Sequence, residues 1–86
     1  MKNYEAPSVD NLRKLKDELG LTQSEMADFV GVAGGQQWRK YTGGQSPRKM
    51  NFHMLFYIAA KLTLTEQEME VVYKRIVELG AKYEPS

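Results

Sequence analysis

The chain has 86 residues, 42% of them hydrophobic, and its 12 basic and 11 acidic side chains leave a net charge of +1. That length builds one core and not a second, because surface-to-volume scaling leaves domains of this size only marginally stable. With no cysteine the chain has no disulfide framework, thiolate nucleophile or cysteine-based zinc site, as expected of a protein working in the cytoplasm, and no segment is apolar for long enough to cross a bilayer.

Residues 1–7 carry charges and a proline where a secretory signal would carry an apolar run, and they read as a flexible tail. The domain proper runs from 8 to 80, with 81–86 as a second tail. In "PSVDNLRKLKDELG", Val9, Leu12, Leu15 and Leu19 share one helical face, Ser8 caps the start and Gly20 supplies the stop. The next segment, "LTQSEMADFVG", has Thr22 and Glu25 as a capping box, Leu21 and Met26 as a hydrophobic staple, and Gly31 as a left-handed end. Beyond a glycine-bracketed run, "MNFHMLFYIAAKL" is apolar almost all the way round, which predicts a central core helix. "LTEQEMEVVYKRIVELG" repeats the earlier device, with Thr65 and Glu68 as capping box, Leu64 and Met69 as staple and Gly80 as stop. Glu70, Lys74 and Glu78 are spaced to pair along its outer face. Strand-like alternation is missing throughout, so the fold class is all-α with five helices.

The run Gln36 to Thr42 lies between Gly34-Gly35 and Gly43-Gly44, so it reads as a short element with sharp ends. It is too short to be helical by itself and must be ordered by packing. Trp38 and Tyr41, three apart, are the inward anchors; Gln36, Gln37, Arg39 and Lys40 are left on the other faces. Glutamine pairs bidentately with adenine and arginine or lysine with guanine, so these four are the candidate base readers. Gln23, at the start of the preceding helix, and Ser46, Arg48 and Lys49, on the loop that follows, are the candidate phosphate contacts. Charge supports the reading: between Asp28 and Glu66 there is no acidic residue, while Arg39, Lys40, Arg48, Lys49 and Lys61 all fall in that window.

"LTQSEMADFVGV", an aromatic pair at i and i+3, "GGQSP" and the apolar "LFYIAAKL" together resemble the Xre or lambda-repressor-like helix-turn-helix family over roughly residues 12 to 62. The resemblance implies a five-helix domain with its helix-turn-helix at about 22–43, whose third helix enters the major groove of double-stranded DNA. It also implies that Gln23 contacts a phosphate and that Gln36, Gln37 and Lys40 face base edges. The chain departs from the family's pattern in two respects. The turn from Gly31 to Trp38 is one residue longer, with Gly34-Gly35 where polar contact residues commonly sit, and Thr42-Gly43-Gly44 replaces an acidic-Asn-Gly ending.

Other chemistries find little here. His53 is the only histidine, no Ser-His-Asp set or carboxylate pair stands out, and the glycines are not followed by the Lys-Ser/Thr of a nucleotide-binding loop, so neither an enzyme nor a metal or cofactor site is expected. The last helix has an apolar face wider than one docking stripe needs. Met69, Val71, Val72, Tyr73 and Ile76 are the candidate surface for a homodimer on DNA, or for a protein partner such as a toxin or another regulator if the chain is an antitoxin-like or adaptor module. The expected function is a DNA-binding transcriptional regulator, a repressor.

Overall fold

Four of the five helices begin where a side-chain oxygen meets a free backbone N–H. The computed structural model describes residues 3–32 and 34–82, and among them lie α1 (Val9–Leu19), α2 (Gln23–Val30), α3 (Gly35–Thr42), α4 (Phe52–Thr63) and α5 (Glu66–Glu78), with no strand. At α2 the Glu25 N–H donates to the Thr22 hydroxyl oxygen (3.1 Å) and the Thr22 N–H donates to the Glu25 carboxylate (2.8 Å); Thr65 and Glu68 repeat the pair at α5 with the same distances. Ser8 caps α1 as expected, and Asn11 closes that box from the N3 position, a partner the sequence reading did not assign. Asn51 caps α4 through the Met54 N–H at 2.8 Å. Gly20 and Gly31 take the left-handed conformation that closes α1 and α2. Helix α5 ends one residue sooner than expected, with Leu79 as its C-cap and Gly80 following at φ +107°.

The buried core joins α1, α2 and α3: Leu12, Met26, Ala27, Val30, Trp38 and Tyr41, with Met50 and Ile58 closing it from the α4 side. Helix α3 packs chiefly on α2 and also on α1, α4 packs on α2, and α5 packs on α4. This order corrects the expectation for α4. Only Ile58 of that helix is buried, and Phe56 is 64% exposed, because one α2-facing stripe is all that α4 commits to the core. A sequence that is apolar all round does not reveal how many neighbours are present to cover it.

Two further expectations shift. On α5 the ion pair among the described residues is Arg75–Glu78 at 3.6 Å, not the series from Glu70 to Lys74 to Glu78. The segment expected as an N-terminal tail is tied down at Tyr4, whose hydroxyl donates to the Met50 carbonyl (2.7 Å) and whose ring meets Phe52 edge-on at 5.6 Å. Residues 1–2 of that tail, and 83–86 of the C-terminal one, lie outside the described residues.

The burial pattern predicts unequal costs. Trp38→Ala removes a side chain that is 1% exposed and is expected to lose about 3–5 kcal/mol, whereas Phe56→Ala stays within about 0.5 kcal/mol. Urea denaturation followed by far-UV circular dichroism measures both; equal losses would mean that α4, not α3, is the centre of the core.

Candidate nucleic-acid interface

Helix α3 has eight residues and no side-chain N-cap; Gly34 precedes it at φ +84°, a conformation that strains any residue with a Cβ. Its first residue is Gly35, one earlier than the expected start at Gln36, and the spacing there is tight. A Cβ on Gly35 would lie 3.3 Å from the Gln23 Cβ and 3.4 Å from the Ser24 nitrogen. The start of α3 therefore rests directly on the start of α2, which sets Gln23 beside the candidate recognition helix.

At about 100° per residue, Trp38, Tyr41 and Thr42 fall on one side of α3, and all three are buried. Gln36 and Lys40 lie opposite them and are exposed, with Arg39 exposed on one flank and Gln37 half-buried on the other. Three of the four expected base readers thus stand open, and Gln37 stands at the margin.

The far end of α3 is held from outside the helix. The last four carbonyls of a helix lack internal partners; here the Gly43 N–H donates to Arg39 O (2.8 Å) and the Arg48 N–H to Lys40 O (2.6 Å). Arg13, on α1, donates to Thr42 O through both Nε (3.1 Å) and Nη2 (2.7 Å). The Arg48 bond folds the loop back against the helix, with Gly44 at φ +79° making the bend. An open groove of about 520 Å³ results, in which Gln36, Arg39 and Lys40 from the helix face Ser46 and Arg48 from the loop, with Gln45 beside them and no acidic side chain among the described residues that line it. Lys49 is exposed but lies outside this groove, and Gln23 lies on the other side of Arg39, in a second groove shared with α1.

Lys61 is removed from the basic set. Its ammonium donates to the Phe29 carbonyl near the end of α2 and sits over the Phe29 ring at 4.2 Å and the Tyr57 ring at 5.1 Å. Burial lowers its pKa from the ordinary lysine value. It is a structural cation, and the footprint left in the window is Arg39, Lys40, Arg48 and Lys49. Arg13 and Gln45 were missed. Nothing local marks Arg13, which lies on the polar side of α1; the signal was indirect, in a helix α3 whose end lacks the acidic residue that would otherwise meet a cation. His53 is exposed on α4 with its ring 6.0 Å from Phe52, and no cluster of metal-binding side chains occurs among the described residues.

Electrostatics at the start of α2 are mixed. The capping box holds the Glu25 carboxylate there, so the helix dipole is already partly answered and an anion approaching Gln23 must be attracted by other groups. On α5, the candidate partner face is partly taken up within the fold. Met69 is buried and Tyr73 is half-buried with its hydroxyl 3.2 Å from that of Tyr57, while Val71, Val72 and Ile76 are exposed together with Val77 and Leu79. The expectation that Met69 faces a partner is therefore wrong: as the staple of α5 it packs inward.

Comparison of the chain with protein-family models, with curated proteins and with solved structures gives no match.

The capping geometry predicts a pH dependence. Hydrogen bonds from Thr22, first its backbone N–H and then its hydroxyl, hold the Glu25 carboxyl below its ordinary value of 4.5. A carboxylate depressed by folding stabilises above the unfolded pKa, and that contribution is lost as pH falls through the folded one. The thermal midpoint is expected to fall as pH drops below 4.5. Glu25→Gln, which keeps an acceptor but does not titrate, is expected to show a shallower fall; identical pH profiles would disprove the assignment.

Proposed function

We propose that the chain is a sequence-specific double-stranded DNA-binding regulator of transcription, a repressor, built on the helix-turn-helix plan that its sequence resembles. The observation that carries this reading is a groove, lined by no acid among the described residues, in which Gln36, Arg39 and Lys40 of a short, tightly anchored helix stand beside Ser46 and Arg48. Eight residues at 1.5 Å each make a rod about 12 Å long, and the major groove is about 12 Å wide. The amide and guanidinium groups on its open side match the donor and acceptor edges of adenine and guanine.

The division of labour follows from position. Gln36 and Lys40, central on the open face, read bases; Arg39 and Gln37 reach the flanks. Ser46, Arg48 and Lys49 on the loop, and Gln23 at the start of α2, bind backbone phosphates and set the register. Phosphate binding releases counterions and supplies most of the affinity, while the helix discriminates between sites. Repression then needs only occupancy, since a protein seated in the groove excludes others from the same bases.

A homodimer fits the remaining surface. The exposed apolar strip of α5, Val71, Val72, Ile76 and Leu79, lies after Glu66, Glu68 and Glu70 and beside Lys74 and Arg75. Two such helices running antiparallel about a two-fold axis bury the strip and set the acids of each against the bases of the other. The Arg75–Glu78 pair is 70% and 59% exposed, contributes little, and is free to exchange partners. The same strip supports the second reading, an antitoxin-like or adaptor module that grips another protein.

Selection from randomised duplexes at physiological salt is expected to enrich two half-sites roughly 34–36 Å apart. Gln36→Ala and Gln37→Ala relax preference at one base position each, by about 1–3 kcal/mol, whereas Lys49→Ala weakens binding to every sequence and lowers the salt slope by about one. No enriched motif would overturn the sequence-reading function. Sedimentation over a concentration series is expected to show a dimer that Ile76→Asp dissociates; a monomer with and without DNA would remove the two-fold contact and leave the α5 strip for a different protein.

A further inference from the structure

A second groove, of about 290 Å³, runs between α1 and α3 on the other side of Arg39. Arg13, Lys16, Gln23 and Arg39 line it, with Asp17 as its acidic member. Three cations against one carboxylate make this wall strongly positive, though two of them, Arg13 and Lys16, lie outside the acid-free window. The α1 pair enters the site only through folding.

Arg13 is the informative residue. Its guanidinium carries five N–H donors, and the bonds to Thr42 O use two of its nitrogens. The acceptor is a neutral carbonyl, and among the described residues no carboxylate lies within 4.0 Å of the guanidinium. The guanidinium is therefore in no ion pair among the described residues, with N–H groups to spare, in a groove that it shares with Gln23, Lys16 and Asp17. Because Arg39 lines both grooves, this wall is continuous with the open face of α3. A duplex seated on α3 carries phosphates along both rims of its major groove, and one rim must pass here.

We propose that the α1–α3 groove is a phosphodiester seat, in which Arg13 binds a backbone phosphate of the DNA while still holding the last carbonyl of α3, with Lys16 and Gln23 completing the contact. This rests on the DNA-binding reading above and extends it. One guanidinium then joins the backbone contact to the pose of the recognition helix: the phosphate fixes Arg13, and Arg13 fixes the end from which Lys40 and Arg48 are held. The attraction comes from side-chain cations, as it must where Glu25 already occupies the start of α2.

The test is the salt dependence of duplex binding for the wild type, Arg13→Met, Arg13→Lys and Lys16→Ala, with circular dichroism to establish that each is folded. Neutralising one phosphate contributes about 0.9 to the log–log slope. Arg13→Met is expected to lower the slope by about one; Arg13→Lys keeps the slope but binds more weakly, since it lacks the fork that spans the carbonyl and the phosphate. Among the described residues the Lys16 side chain donates no hydrogen bond, so Lys16→Ala is expected to fold and reads the same groove independently, again with a slope lower by about one. Unchanged slopes in Arg13→Met and Lys16→Ala, with duplex binding retained, would overturn the phosphate seat and leave Arg13 as a helix clamp only. A wild type that binds no duplex at low salt would overturn the DNA reading itself, and the seat with it. Inorganic phosphate at the same phosphate concentration serves as the second arm: it is expected to leave the Arg13 Nε–H resonance unmoved where the duplex shifts it, and an equal shift from both would mean a general anion site.

Discussion

The candidate site depends on the burial of Trp38 and Tyr41 between α1 and α2. Helix α3 has eight residues, too few to be stable in water, and fixing their backbone costs about 8–16 kcal/mol. Two buried aromatic side chains of about 150–250 Å² each recover about 8–12 kcal/mol at 25 cal/mol per Å². The balance is small enough for a few hydrogen bonds at about 1 kcal/mol each to decide it. Those from Gly43, Arg48 and Arg13 to the terminal carbonyls of α3 are of that number and kind. The open face is polar because the closed face holds the helix without it.

Charge follows the same division between average and position. A net charge of +1 describes a chain indifferent to anions, yet among the described residues the groove beside α3 has no acid in its lining. Folding both subtracts from and adds to the basic window read along the chain. Lys61 turns inward, where the ends of α2 and two aromatic rings occupy it, and Arg13 and Lys16 arrive from a helix whose own sequence is charge-balanced. A linear window therefore finds the right region and the wrong membership.

What the sequence made legible was whatever is encoded within four residues. The capping boxes at Thr22 and Thr65, the left-handed glycines at 20 and 31 and the inward pair Trp38 and Tyr41 are all local patterns, and all lie where their spacing requires. Apart from the ion pairs of α5 and the Asn11 box, the larger differences are matters of what stands beside what. The apolar composition of α4 points to a central helix, but coverage depends on neighbours that no window contains. Met69 shares the apolar face of α5, yet its staple role already places it inside. The role of Arg13 is not legible in the sequence because its partner, the Thr42 carbonyl, is 29 residues away and is backbone, so no residue type advertises it. Gly35 illustrates the intermediate case: the glycine was noticed, but the reason for it, the backbone of Gln23 and Ser24 within van der Waals reach, belongs to the fold.

The order of packing also separates two tasks. Helix α3, the candidate base reader, is held from three directions, by α2 beneath it, by Arg13 from α1 and by the loop bonded back at Arg48, so the groups it presents share one frame. Helix α5 packs on α4, with Met69 buried and the Tyr57–Tyr73 hydroxyl pair between the two helices, and it leaves Val71 67% and Leu79 75% exposed. On the proposed reading, a reader needs rigidity where bases are distinguished, because each misplaced donor leaves an unpaired group at the interface. A two-fold contact needs only a sufficient apolar area and charges of the right sign. On that reading the choice of bases belongs to α3 and the spacing between half-sites to α5, which packs on α4, so the two are set by different parts of the chain.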